Sequence, residues 1–312
     1  MSHGWRLWLP TLVGLAIIAM TLRDVVHELF HPEDSGSLSR LVARGVWRAL
    51  HVVAGGHRRR VLFNAGPLTL IAVALVWAAL LVVGWALVFW PRLPGSFHPN
   101  PALTADQLRG FGTAVYVSMA TMTTLSASDL TPATAAMRWA VTLESYIGPM
   151  LFTAWITWVL GSYPVLAERR ALMHEVAILR KVHGTPVRAA RDSPPEAAVA
   201  MLRSLAEQML LATARLRQSR VTHYFQNEEP SLALAVQLPW VIALATAARD
   251  AARTPAVSHY GSVLHVVVCD LLDFVGEQFF DANGEPPATV IRRMAADHLL
   301  REEVARSNDD EG

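Results

Sequence analysis

Residues 61–91 contain no Asp, Glu, Lys or Arg, an uncharged run of 31 residues. About 20 apolar residues are enough to carry a helix across a hydrocarbon core about 30 Å thick. The run therefore reads as a membrane span over residues 67–90, and no soluble architecture accommodates it easily. Composition agrees: 53% of residues are hydrophobic and 17% charged, against about 45–50% and about 25% in a typical soluble domain.

Two further segments follow the same logic. Residues 139–166 form a second apolar stretch with Glu144 as its one charged residue. Residues 5–22 are shorter and carry Pro10, with Trp5 and Trp8 placed as interfacial anchors. A cleaved signal peptide is the alternative there, but no small-x-small site precedes Arg23-Asp24. Residues 1–23 are read as an N-terminal transmembrane helix.

Arginines set the orientation, because short cytoplasmic flanks of spans collect positive charge. Arg58, Arg59 and Arg60 precede the 67–90 span, and Arg169 and Arg170 follow the 139–166 span. Both ends point to the cytoplasm, so the linker between them is external and everything after Arg169 is internal. The expected location is the cell (inner) membrane, multi-pass, with a cytoplasmic C-terminal domain.

Between the first two spans, residues 24–66 read as a cytoplasmic-side amphipathic segment. Arg40, Arg44 and Arg48 recur every fourth residue, while Leu38, Leu41, Val42, Val46, Leu50 and Val53 occupy the other side. Such a basic helix suits an anionic leaflet. Nucleic acid is the rival partner for an arginine stripe, and tethering between two spans excludes it.

The external linker opens with Pro91, Pro94, Gly95, Pro99 and Pro101, then turns helical over residues 103–122, with Phe111, Val115, Met119 and Met122 at helical spacing. A short helix at membrane depth is tolerated only where protein or a water-filled cavity surrounds it. Its carboxyl end carries partial negative charge and favours a cation.

After this helix stands Thr121-Met122-Thr123-Thr124-Leu125-Ser126-Ala127-Ser128-Asp129-Leu130-Thr131-Pro132. It resembles the pore loop of the potassium-channel (tetrameric cation channel) family, Thr-x-Thr-Thr-Val-Gly-Tyr-Gly-Asp-x-x-Pro, at the threonines, the aspartate and the proline. The resemblance extends over residues 67–170, roughly a third of the chain, and implies an outer helix (67–90), a pore helix and filter (103–132) and an inner helix (139–166). It places Thr123, Thr124, Leu125, Ser126, Ala127, Ser128 and Asp129 in the ion-conduction filter, Ser118 on the pore-helix serine, and Gly148 with Pro149 at the gating hinge. Gly148-Pro149 also reads as a kink on its own, since proline removes a helical hydrogen bond and glycine relaxes the backbone.

The chain departs from the family where Ser126, Ala127 and Ser128 replace Gly-Tyr-Gly. Family carbonyls substitute for the ion's hydration shell, in backbone conformations that cost a residue with Cβ about 1–2 kcal/mol. A wider mouth lined by serine hydroxyls, Thr124 and a ring of Asp129 carboxylates is expected instead. Glu144, as an intramembrane acid, is either functional or a hydrogen-bond partner of Ser118 or Thr121.

His27-Glu28-Leu29-Phe30-His31 matches the His-Glu-x-x-His zinc pattern. Pro32 follows at once and no third ligand stands out, so the segment reads as a membrane-surface turn. No metal site and no cofactor motif is expected.

Residues 171–312 read as a cytoplasmic helical domain, with helices over 172–182, 195–220, 231–253, 258–280 and 286–306 separated by Pro, Gly, Ser and Asn clusters, and Ser193 starting the second. Val241, Ile242, Leu244 and Ala245, like Val263, Val266, Val267, Leu271 and Val275, form core stripes. Cys269 is the single cysteine and reads as a buried thiol. His223, in Thr222-His223-Tyr224-Phe225, reads as a structural histidine.

The fold expected is an all-α membrane protein, a potassium-channel-like pore unit with an extra N-terminal helix and a cytoplasmic helical domain. One pore loop supplies a quarter of a filter, so the resemblance implies a homotetramer passing monovalent cations, potassium or non-selectively, and not an enzyme. A non-conducting membrane sensor or scaffold derived from a channel is the alternative.

Overall fold

The computed structural model describes residues 4–30, 37–54, 62–99, 110–125, 129–227, 229–250 and 254–309. It falls into two compact units, Met1–Gly45 with Thr69–Gly161, and Val46–Leu68 with Ser162–Gly312. Residues 46–68, which the sequence places with the interfacial segment and the outer helix, thus belong to the C-terminal unit.

Among the described residues, three helices are long and apolar enough to cross a membrane: α1 (Gly4–Phe30), α3 (Ala65–Phe89) and α5 (Ala135–His183). Along α3, Val73, Trp77, Leu81, Trp85 and Phe89 are all buried, one every fourth residue, which puts them on one face. Leu68, Ile71 and Leu75 on its other side are exposed. Helices α1 and α3 approach backbone to backbone, so closely that a Cβ on Gly14 would collide with the Gly84 carbonyl oxygen. Small residues permit such contact where lipid, as apolar as Leu, gives no hydrophobic drive to associate. The Arg92 guanidinium donates to Thr11 Oγ1 (2.8 Å), tying the far end of α3 to α1.

Helix α1 runs on to Phe30 rather than ending near residue 22, so His27 and Glu28 are helical and not in a turn. The charged turn keeps its helix because its acids find partners: Asp24 and Glu28 both reach helix α2 (Ser37–Ala54). On α2, Arg40, Arg44 and Arg48 are all exposed, as the stripe requires. The opposite face differs from expectation: Ser39, Ala43 and Trp47 are buried, while Leu41 and Val53 face outward.

A short helix, α4 (Phe111–Met122), stands between the second and third spans; residues 103–109 of the expected pore helix lie outside the described residues. Its buried face is Ala114, Val117, Ser118, Ala120 and Thr121, whereas Phe111 and Met119 of the anticipated stripe are exposed. The small side chains let α4 sit close to its neighbours. Two three-residue strands, β1 (Phe97–Pro99) and β2 (Leu130–Pro132), pair antiparallel on either side of α4, with His98 opposite Thr131. Their prolines sit at strand ends, where a missing N–H is tolerated.

Helix α5 corrects the sequence reading most. The inner helix at 139–166 and the separate helix at 172–182 are one element of 49 residues. Beyond Pro164, residues 165–183 hold no Gly or Pro and are rich in helix formers, so nothing interrupts it until Gly184. There φ is +70° and the Gly184 N–H bonds to the Arg180 carbonyl (2.8 Å), a left-handed cap that glycine adopts without strain.

In the C-terminal unit, α6 (Pro186–Asp192), α7 (Pro195–Gln218), α8 (Leu234–Asp250), α9 (Pro255–Val275), α10 (Pro287–Asp297) and α11 (Arg301–Asp309) form a bundle. Helix α9 packs on α7 and α8, and α6 on α8. Leu202, Leu205, Met209, Trp240, Leu244, Leu264 and Val268 fill the core. Thr185 and Thr254 cap their helices through side-chain oxygens, each with proline at the next position. Ser193 ends α6 and is buried, and the N-cap position of α7 falls to Pro194.

The expected 286–306 helix is broken at residues 298–300, where Leu299 has φ +55°, and 258–280 ends in a π turn, Gly276–Phe280. Val266 is exposed and Cys269 only partly buried, because the α9 stripe facing the core is Leu264, Val268, Leu271, Leu272 and Val275.

Candidate functional site

The loop expected to form a filter leaves α4 by a defined turn. Thr124 sits at φ +59°, its N–H bonds to the Thr121 carbonyl (3.1 Å), and the Leu125 N–H reaches back to Ala120 (2.9 Å). This double bond pattern is a Schellman cap, with threonine at the left-handed position that glycine usually takes. Thr123, Thr124 and Leu125 are exposed, so they emerge from the helix end as a tight turn rather than an extended run of carbonyls. Ser126, Ala127 and Ser128 lie outside the described residues. Beyond them Asp129 accepts from the Tyr116 hydroxyl (3.4 Å), a link back to α4.

Behind this end, α5 supplies two residues. Ser118 Oγ donates to Glu144 Oε1, and both side chains are fully buried. Glu144 Oε2 has no partner among the described residues. One turn further, a Cβ on Gly148 would collide with the Met122 carbonyl oxygen, so only glycine lets the span approach the end of α4. Pro149 stays within α5, exposed, and its carbonyl accepts from Thr153 Oγ1 (2.9 Å). Contact, rather than flexibility, is what the structure makes visible at Gly148.

Sequence reasoning passed over Asp24. It is buried, accepts from the backbone N–H groups of Leu38 (3.1 Å) and Ser39 (3.2 Å), and accepts from Trp77 Nε1 (2.9 Å). It therefore caps α2 and anchors α3 to α1. Glu28 accepts from Ser39 Oγ (2.6 Å), and His27 lies 3.5 Å from Arg23 Nε. His31 lies outside the described residues. Glu28, the would-be catalytic base, is thus committed to α2.

His223 also proves less ordinary than its sequence context. The turn Arg220–Tyr224 after α7 stacks its ring on Phe279, with centroids 3.8 Å apart and planes 10° from parallel. Its Nε2 is 3.4 Å from His298 Nε2. Burial first, then His298 and Arg169, holds the imidazole well below the usual histidine range. Arg169 fixes the turn by donating to the carbonyls of Thr222 (2.9 Å) and Phe225 (2.8 Å). Next to His298, Asp297 accepts from Trp47 Nε1 through both carboxylate oxygens (3.1 Å each). Burial raises the Asp297 carboxyl, while Trp47 and His51 oppose the rise.

The chain is 23% identical over 172 residues to the uncharacterized membrane protein YdjJ of Bacillus subtilis (strain 168), covering 54% of this chain and 48% of that protein. This is a membrane protein. The likeness and the three apolar helices agree on that. The chain spans about half the length of the relative it matches. No protein-family model matches the chain, and no solved structure does.

Proposed function

We propose that the chain is one subunit of a tetrameric cation pore with an atypical filter. The observation that carries this reading is α4. Its 12 residues span about 18 Å, too short to cross a core of about 30 Å. It is nevertheless apolar, lies between two spanning helices, and is held by Ser118–Glu144 and by Gly148 against Met122. A helix ending at membrane depth next to an exposed polar turn suits a water-filled mouth. In an assembly of four, the Asp129 carboxylates form a ring that attracts cations. Monovalent ions, potassium or a mixture, move passively, and no catalytic step is assigned. The exposed Arg40, Arg44 and Arg48 suit an anionic leaflet, with the membrane the cell (inner) membrane and the helical bundle cytoplasmic.

A second reading is a non-conducting sensor or scaffold, and the cap at Thr123–Leu125 favours it, since those residues close a helix instead of extending along an ion path. Separate potassium, sodium and calcium fluxes in liposomes, with Asp129→Asn alongside, decide between them. The pore reading expects monovalent flux that the variant lowers. Silence from a verified tetramer would sink it in favour of the scaffold. Replacing Ser126-Ala127-Ser128 by Gly-Tyr-Gly should raise potassium selectivity if the loop is the filter.

A further inference from the structure

Residues far apart in sequence converge at one spot in the C-terminal unit. One ring nitrogen of His223, one of His298 and a carboxylate oxygen of Asp297 all lie within 4.8 Å of one another. We propose that these three residues bind one divalent transition-metal ion of the zinc type.

Geometry is the first support. A tetrahedral zinc ion with bonds of about 2.0–2.1 Å holds neighbouring ligand atoms about 3.3–3.4 Å apart, and the two Nε2 atoms are 3.4 Å apart. Asp297 Oδ2 is 4.0 Å from His298 Nε2, close enough to join by a small rotation of its carboxylate. A histidine–histidine hydrogen bond would explain the nitrogen separation alone. Asp297, held by Trp47, adds a third ligand atom beside them.

The surroundings are those of a ligand set held in place. Trp47 Nε1 donates to both Asp297 oxygens, and each oxygen keeps a lone pair for a metal. His51 Nε2 donates to the Asp297 backbone carbonyl (2.8 Å). Phe279 fixes the His223 ring by stacking. Such outer partners orient metal ligands and raise affinity. Two imidazoles and one carboxylate favour zinc over calcium or magnesium, which prefer all-oxygen shells.

A fourth position is also provided. A cavity of about 30 Å³ adjoins His223 and His298, room for a water. Gln226 lines it, is 5% exposed, and neither polar atom of its amide has a partner among the described residues. A metal-bound water there would satisfy it. The site stands whether or not the membrane unit conducts.

The test uses the full chain, purified in detergent, stripped with a chelator and titrated with cobalt(II) as a spectroscopic stand-in for zinc. One tetrahedral cobalt spectrum per chain, bleached by zinc, is expected. His298→Gln and His223→Gln should each weaken binding at least about tenfold, and Trp47→Phe, by releasing the Asp297 carboxylate, by about tenfold to a hundredfold. X-ray absorption of the zinc-loaded wild type should show imidazole and carboxylate ligation, a readout that does not depend on how the variants fold. No stoichiometric cobalt band in the wild type, an unchanged band in folded His298→Gln, or sulfur ligation would each overturn the proposal.

Discussion

Ser118 on α4 and Glu144 on α5 are hydrogen-bonded to each other with both side chains fully buried. The pair ties the short helix to the span behind it, in surroundings where an unmade bond is costly. Removing the carboxylate with Glu144→Ala strands the Ser118 hydroxyl and should cost about 1–3 kcal/mol, read by thermal unfolding in detergent. Glu144→Gln keeps an acceptor and should cost less. A double-mutant cycle with Ser118→Ala should give a coupling of about 1–2 kcal/mol; additive losses would show that the bond contributes nothing.

Gly148 and Gly161 sit on the same helix in opposite circumstances. A Cβ at Gly148 collides with the Met122 carbonyl, whereas one at Gly161 meets nothing within 4 Å. Gly148→Ala should destabilise by about 1–3 kcal/mol through overpacking. Gly161→Ala should be neutral or stabilising by up to about 1 kcal/mol, because alanine is the better helix former. Unfolding temperatures of the two variants side by side test the contrast. Equal effects would refute close contact as the reason for glycine at 148.

Asp24 serves three donors at once, two backbone amides and the Trp77 indole. Asp24→Ala leaves all three without their acceptor and should cost about 2–4 kcal/mol. Trp77→Phe removes one bond and should leave α2 capped. Hydrogen exchange at the Leu38 and Ser39 amides separates the cases, fast in Asp24→Ala and slow in Trp77→Phe.

Cys269 is the chain's single thiol, and burial first, then Asp273, raises its pKa. The reactive species is the thiolate, so a raised pKa lowers its fraction at any pH below it. Iodoacetamide should therefore label the folded chain more slowly at pH 8 than the unfolded chain, with the folded rate rising at higher pH than an ordinary thiol's. Identical pH profiles would contradict the burial.

What the sequence disclosed and what it hid divide along the range of the interactions. The span over 67–90 is a local property of an uncharged run, and the arginine face of α2 is a matter of fourfold spacing, so both are readable from composition and period. The continuity of α5 was masked by Gly161 and Pro164, which look like a break until the helix formers after them are weighed together. Asp24 reads as the polar end of a span, because its capping partner Leu38 is 14 residues away and Trp77 is 53 away. His223 looked ordinary for the same reason. His298 lies 75 residues on, and no spacing rule connects a turn after one helix to the break between two others.

The cap at Thr124 has an electrostatic consequence. A helix's negative end resides in its last four carbonyls. In α4 these are Met119, Ala120, Thr121 and Met122. The Thr123 N–H takes the first, Leu125 the second and Thr124 the third, while Gly148 presses against the fourth. Little of the α4 dipole is left facing outward, so in the pore proposed above the charge that draws a cation is, among the described residues of this loop, the Asp129 carboxylate. Attraction by such a carboxylate depends on ionic strength and tells ions apart by charge more than by size, unlike a cage of oxygens fitted to one dehydrated ion.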